Sequence, residues 1–546
     1  MLRKRFDNSS FLCKKIRFFL IIVLIIGLFL RYINLDHKIY LYDEVFTSIR
    51  ISGYTEPEIS QQAFDNQLID SEFLYKFQEP NLEHGVIDTV QGLIKEEPQL
   101  PPLYFILTRF WTEHFGGSVL TTRSLSAVFS LLIFPSVYWL CLELFDSSLV
   151  AWWALALIAI SPVQVLYAQE ARMYSLWTAL ILLSSTALLR AIRNSTKTSW
   201  GIYTLILSLG LYTHIFTILT AIAHGMYVVI REKFRLTKIT LRYILALTVA
   251  LLAFSPWIFI LIQGITQQQA RTSWANNHLS FLLLIRSWFG DLSRVLIDFG
   301  VNRDSNYLLI FLTVLTSLAA FFLISLSIYN LYKNTPKTVY IFVILMIAFS
   351  PLTLYLRDVI LGSQLSTESR YFLPNYIFIQ ISIAYLICKK FNSSKVWNSI
   401  TITLVTIGIL SCAVSSQSSS WWNKGEGQNK YNAQVANIVN QAAHPLLVSS
   451  GSISTDYSFT GVILCLNHFL APKVKLLLTV EPELPKILST YSSYDLFLFM
   501  PSDTLRHYFE KEFEVKSAMQ AGNSWLWQLK SRSLPSSESI EHVKES

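Results

Sequence analysis

Four short stretches put acids and bases where a greasy chain should have few of either. Asp43 and Glu44 stand side by side in IYLYDEVFTSIR, residues 39–50, just after the first apolar run. Glu170 and Arg172 sit in YAQEARMYS (167–175), His214 follows Tyr212, and Arg370 and Tyr371 lie in STESRYFLPNY (366–376). A carboxylate can take the proton of a hydroxyl as general base. A guanidinium fork can hold phosphate oxygens and stabilise charge that builds on them. Each residue has a plainer reading. Glu170 could favour the N-terminus of the next helix, Arg172 could snorkel to a lipid phosphate, His214 could be a satisfied interface histidine, and Asp43–Glu44 could open a solvated loop. Taken together the set suits one reaction type, transfer of a group from a lipid phosphate to a hydroxyl.

The elements that must carry these residues are membrane helices. Of 546 residues, 52% are hydrophobic and 15% charged, with a mean hydropathy of +0.42, against about 25% charged in soluble domains. Apolar stretches over 18–33, 124–145, 149–166, 174–191, 199–216, 217–230, 241–262, 306–332, 339–360, 372–388 and 396–414 predict about eleven spans. No small-residue cleavage site follows the first, so it is read as an uncleaved span. Basic residues fall before span one (Arg3 to Arg17) and in alternate loops thereafter: Arg190 to Lys197, Arg231 to Lys238, Lys333 to Lys337, and Lys389 to Lys395. ELFDSSL (143–149) is the one expected cytoplasmic loop without a base. The pattern puts the N-terminus inside and the C-terminus outside, in a plasma or inner membrane rather than the endoplasmic reticulum. PPLYFILTRFWTEHF (101–115) and FLLLIRSWFGDLSRVLIDF (281–299) are too short or too charged to span and are expected to lie in the interface. Every candidate residue then falls on one membrane face.

The rest of the chain narrows the class further. Residues 416–530 have a soluble composition, and HPLLVSSG, VKLLLTV and DLFLFMPS alternate with helical segments. This predicts a small non-cytoplasmic α/β domain with a partly parallel sheet. Residues 531–546 read as a disordered tail. The domain reading is 1–415 for the membrane module, with 34–123 as its first outer loop, then 416–530 and the tail. The five cysteines are scattered without metal spacing, so neither disulfides nor a cysteine-based metal site is expected. The net charge of +8 lies in the loops of a membrane protein and does not imply nucleic acid.

The layout resembles the GT-C fold glycosyltransferases, in particular the family 39-like, PMT-type group of protein O-mannosyltransferases and aminoarabinose transferases. The resemblance spans roughly residues 15–415. It rests on YDEVFTSIRISGYT (42–55), QLPPLYFILTRFW (99–111), TRSLSAVFSLLIFPSVYWLCLELF (122–145), SPVQVLYAQEARMYSL (161–176) and ESRYFLPNY (368–376). It implies a polytopic α-helical fold with Asp43 as catalytic base, Glu44 in support and Glu170 as the second acidic position. Gln99 and Leu100 stand where some relatives carry a lysine near the donor phosphate. Donor-phosphate binding is therefore expected from Arg172 and Arg370, with Tyr371 and His214. The implied activity is inverting transfer of a sugar from a polyprenyl-phosphate donor to a protein, lipid or glycan acceptor. Glu-Ala-Arg at 170–172 replaces Asp-containing versions in better-known members, which leaves a divalent cation an open expectation. The alternatives are a lipid-linked sugar transporter or flippase, and a non-catalytic glycan-assembly protein. Charges gathered at one face, rather than along a path through the spans, speak against the first.

Overall fold

A computed structural model describes residues 10–301, 305–422, 424, 427–451, 459–480, 493–511, 513–521 and 524–531. The tail expected over 531–546 lies outside the described residues, except Ser531. The chain forms two compact units, one from residues 1–38 and 89–424 and one from 39–88 and 425–546. Residues 39–88 of the first outer loop thus belong with the C-terminal part of the chain.

The first unit is helical, and ten of the eleven expected spans are each continuous in helical structure while 149–166 is a bent pair of helices. Seven are long and apolar enough to cross a membrane: Val119–Phe145, Tyr174–Asn194, Lys238–Gln263, Tyr307–Asn334, Lys337–Leu361, Ser369–Lys390 and Lys395–Gln417. An eighth is the bent pair Ser148–Ala159 and Pro162–Ala168. Ser10–Tyr32 carries Lys14, Lys15, Arg17 and Arg31, while Lys197–Thr213 and Thr217–Arg231 have 17 and 15 residues. The chain is an integral membrane protein. Tyr174–Asn194 and Ser369–Lys390 are its central helices, with 78% and 89% of their apolar windows buried, against 17% for Tyr307–Asn334. The last therefore turns its Leu and Phe side chains outward, to where lipid would be.

The bent pair shows how an interior polar group is tolerated here. The helix stops at Ala159 and restarts 66° away at Pro162, a residue without an N–H to continue the ladder. The carbonyls freed at the break need donors. Arg31, 1% exposed, donates to Ile158 O at 2.9 Å and Ala159 O at 2.7 Å, and to Gly27 O on its own helix at 2.8 Å. The Cys412 thiol reaches Ile160 O at 3.2 Å. A Cβ on Gly27 would meet Ala159 at about 2.4–2.5 Å, so this close helix approach needs glycine.

The two stretches expected at the interface form Leu103–Phe115 and Phe281–Arg294. In the second, Phe281, Leu282 and Phe289 are exposed while Asp291 is buried. That is the reverse of a water-facing helix and fits the edge of a bilayer.

The second unit is an α/β layer. Strands β1 (Leu68–Asp70), β2 (Pro445–Gly451), β3 (Lys475–Val480), β4 (Asp495–Phe499), β5 (Phe513–Ala521) and β6 (Ser524–Ser531) form one sheet ordered β1-β3-β2-β4-β6-β5. β2 lies parallel to β3 and β4, and the other pairings are antiparallel. The helices Gly427–Gln441, Phe459–Asn467 and Asp503–Glu510 accompany it. β1 comes from the first outer loop and pairs Leu68 with Leu477 and Asp70 with Lys475, whose ammonium also bonds the Asp70 carboxylate.

Candidate functional site

Asp43 and Glu44 open the helix Tyr42–Ser52 of the second unit. Neighbouring residues on a helix point about 100° apart, and the two carboxylates part accordingly. Glu44 is fully buried, and its Oε2 accepts the Leu41 N–H at 2.9 Å, satisfying a donor that the helix start leaves open. Asp43 is half-buried on the first turn. The helix is seated on Phe459–Asn467: a Cβ on Gly461 would meet the Tyr42 and Phe46 rings at 2.6 and 2.7 Å. Both carboxylates lie within electrostatic range of Cys465.

The other five candidates belong to the first unit, which gathers them into one polar cluster. Glu170 and Arg172 sit in the turn between Pro162–Ala168 and Tyr174–Asn194. The Arg172 N–H donates to Glu170 O at 2.7 Å, and Ser126 Oγ donates to Arg172 O at 3.1 Å. Gln169 fixes the turn by donating to Leu30 O and Ile33 O, each at 3.1 Å, at the end of the first helix. Glu170 is fully buried, Arg172 is 6% exposed, and Glu170 Oε1 holds the Lys424 ammonium at 2.9 Å. The same ammonium lies 5.6 Å from the Tyr167 ring centroid. Lys424 had no part in the sequence-based site. It is 254 residues from Glu170 and follows a stretch of Ser and Trp that gives no motif.

Arg370 pairs with Glu368 at 2.9 Å, and its guanidinium lies over Trp274 at 5.6 Å and Tyr371 at 5.5 Å. Rings then lead to the histidine. His214 lies 5.9 Å from Tyr371 and stacks on Trp177 at 4.5 Å. His214 Nδ1 is 3.1 Å from the Phe216 N–H and accepts it, which puts the imidazole proton on Nε2 and makes that nitrogen a donor. Arg172 and Arg370 are both within electrostatic range of His214. The two arginines thus lie near one histidine from two different turns.

Two more charges join from the helix Phe281–Arg294. Asp291 Oδ1 accepts from Arg294 Nη1 at 2.7 Å and from Ser369 Oγ at 2.6 Å, which ties this helix to the turn carrying Arg370. Burial pushes the Asp291 carboxyl up to about 6, against the opposing pull of Arg294 and Ser369. Their sequence pattern was read as interfacial charge. What identifies them as cluster residues is the burial of Asp291, and periodicity does not show that. Asp291 Oδ2, the Tyr167 hydroxyl and the Tyr376 hydroxyl are buried and make no hydrogen bond among the described residues. Tyr376 is in electrostatic range of both Asp291 and Tyr167.

Among the described residues no group of three or more His, Cys, Asp or Glu gathers as for a metal ion. Glu170, Asp291 and Glu368 each face a cation instead. Among the described residues this donor set does not fit a divalent ion.

Residues 99–260 match the family of dolichyl-phosphate-mannose-protein mannosyltransferases, a segment that contains Glu170, Arg172 and His214. Among curated protein sequences none matches. ArnT from Cupriavidus metallidurans, solved with undecaprenyl phosphate bound, is similar in structure at a TM-score of 0.50 and 10% identity, over 93% of this chain and 98% of that one. The oligosaccharyltransferase AglB from Archaeoglobus fulgidus, solved with an inhibitory peptide and a dolichol-phosphate, gives 0.47 and 11% over 95% and 74%. The likeness to ArnT extends over nearly the whole of both chains, and the matched family segment lies inside it. The chain shares the fold of ArnT, the GT-C fold expected from its sequence.

Proposed function

We propose that this protein is a membrane glycosyltransferase that moves a sugar from a polyprenyl-phosphate donor to an acceptor hydroxyl on the non-cytoplasmic face. The observation that carries the reading is the cluster of the first unit, where Arg172, Arg370 and Lys424 converge around buried carboxylates and a donating histidine. Four cations, Arg172, Arg294, Arg370 and Lys424, stand beside three acids, Glu170, Asp291 and Glu368, so a bound phosphate would draw on cations already held in place. Such preorganised charge suits a leaving phosphate. Asp291, Tyr167 and Tyr376 add open hydrogen-bonding capacity, as a hydroxyl-bearing ligand requires. The undecaprenyl phosphate bound to ArnT carries the same lipid-phosphate chemistry.

In this reading Arg172 and Arg370 grip the donor phosphate, with Tyr371 and His214 flanking it. Glu170 fixes Lys424 and positions the Arg172 turn. Asp43 takes the acceptor's proton as the hydroxyl oxygen attacks the anomeric carbon. The bond to the phosphate oxygen breaks, and the configuration inverts. Glu44 orients Asp43 by capping its helix. The test is transfer of radiolabelled sugar by the purified chain from a panel of polyprenyl-phosphate donors, with membrane lipid and peptide acceptors. Transfer from at least one donor that depends on Asp43 and Arg370 is expected. Transfer that proceeds equally without both residues would overturn the assignment.

A further inference from the structure

A groove of about 680 Å³ runs along the first unit between the interfacial helix Phe281–Arg294 and the membrane helix Tyr307–Asn334. That volume is within the range of about 300–1,000 Å³ usual for small-ligand sites. Its walls are apolar, including Leu279, Leu283, Ile297, Ile310, Val314 and Leu318. The hydroxyls along it do not make it polar: Thr313, Thr316 and Ser317 donate to carbonyls of their own helix at 2.8, 3.0 and 2.7 Å. At Gly290 an added Cβ would meet nothing within 4 Å. The groove adjoins exposed Phe281, Leu282, Phe289 and Tyr307, a surface suited to hydrocarbon.

Two arginines line this groove, and they differ. Arg294 is committed to Asp291 at 2.7 Å and Asp298 at 3.7 Å. Arg286 is exposed and makes no hydrogen bond or ion pair among the described residues. It lies eight residues before Arg294, about 12 Å along the helix. An unpaired guanidinium at the edge of a hydrocarbon-lined groove calls for an anion that carries its own hydrocarbon.

We propose that this groove binds one anionic phospholipid of the bilayer, with an acyl chain along the Gly290 wall and its phosphate on Arg286. The groove meets the donor cluster at Arg294, but that cation is already neutralised by two carboxylates, so the lipid phosphate falls to Arg286. It also bears on that cluster: the helix that would carry the lipid holds Ser369, next to Arg370, through Asp291. A lipid seated there would steady the turn that presents Arg370.

The test reconstitutes the full chain in nanodiscs of phosphatidylcholine with phosphatidylglycerol and counts retained lipids by native mass spectrometry. The wild type should keep one phosphatidylglycerol in preference to phosphatidylcholine. Arg286→Gln should lower that retention about tenfold or more, the usual worth of a charged hydrogen bond. Gly290→Trp should abolish retention by filling open space, with unchanged melting. Equal retention of both lipids, or full retention in both variants, would mean annular contact only and overturn the proposal. Loss of polyprenyl-phosphate binding in Gly290→Trp would make the occupant the donor's tail, and would overturn it equally. Neither outcome touches the reading of the donor cluster, which Arg370→Ala tests.

Discussion

The Lys424–Glu170 pair offers the sharpest test of the cluster, because one substitution should do more harm than two. Glu170 is fully buried and the Lys424 side chain is 13% exposed, with Nζ 2.9 Å from Oε1. At that distance and an effective dielectric of 20 the attraction is about 6 kcal/mol before desolvation is subtracted. Lys424→Gln removes the attraction and leaves the carboxylate buried, an exchange that typically costs about 3–5 kcal/mol. The partial exposure of Lys424 puts the expected loss near the lower end, about 3 kcal/mol. Lys424→Gln combined with Glu170→Gln replaces the pair with two amides that can hydrogen-bond, and should recover most of that loss. The assay is thermal unfolding of the detergent-solubilised chain followed by intrinsic fluorescence, where about 3 kcal/mol should appear as several degrees. A single variant that melts with the wild type would show that the pair is not desolvated. A double variant as weak as the single would show that Lys424 acts through something other than Glu170.

Other consequences can be read at the bench. Arg172→Ala and Arg370→Ala should each weaken donor binding by about 1.5–3 kcal/mol, seen as a raised Kd for polyprenyl phosphate, and unchanged affinity in both would remove them from the phosphate site. Asp43→Asn should lower turnover by about 10²–10⁴ with donor affinity little changed, whereas Glu44→Gln should mainly lower the melting temperature through a weakened cap worth about 0.5–2 kcal/mol. The Asp291 carboxyl is raised from 3.8 to about 6 by burial, so the folded state binds its proton more tightly than the unfolded one. Its contribution to stability is full below pH 4 and is lost as pH rises through 6, and Asp291→Asn should remove about 3 kcal/mol of that slope, checked by comparing melting-versus-pH curves of the two proteins. Ser517→Cys, on an exposed position of β5, should react with an impermeant maleimide in intact cells, and labelling only after permeabilisation would overturn the non-cytoplasmic placement of the sheet.

The membrane helices were legible because each is an apolar run that length and composition alone identify, and the soluble sheet because its parallel strands are short hydrophobic bursts between turn residues. Two features escaped for physical reasons. β1 is only Leu68–Asp70, too short for any alternation to show, so the first outer loop gave no sign that it completes a sheet built 400 residues later. The break at Ser161–Pro162 divides what was read as one span over 149–166, although Pro162 was the available signal and Arg31 the available donor. The cluster was half legible. Glu170, Arg172, His214 and Arg370 stand out because ionisable residues at membrane depth are costly. Lys424, Asp291 and Arg294 do not, since charges in a soluble-looking or amphipathic stretch have a cheap alternative in water. Only the burial of Asp291 and the ion pairs of Arg294 and Lys424 show that they decline it.

The acidic pair shows why adjacent residues should not be read as a dyad. Two carboxylates side by side in sequence suggest a shared proton or a shared ion. On a helix their side chains diverge by about 100°, so a common ligand would need one of them to bend away from its own backbone. Here the divergence is put to use. Glu44 turns back to the Leu41 N–H and is consumed by the helix start, and that same contact fixes the rotation of the helix about its axis. Asp43 is carried on the same turn, half-buried and outside that contact. In the proposed function Glu44 is the positioning acid and Asp43 the reacting one, so the order Asp-Glu carries meaning. Exchanging the two residues would place the shorter carboxylate at the cap, where it would have to reach the same N–H with one methylene fewer.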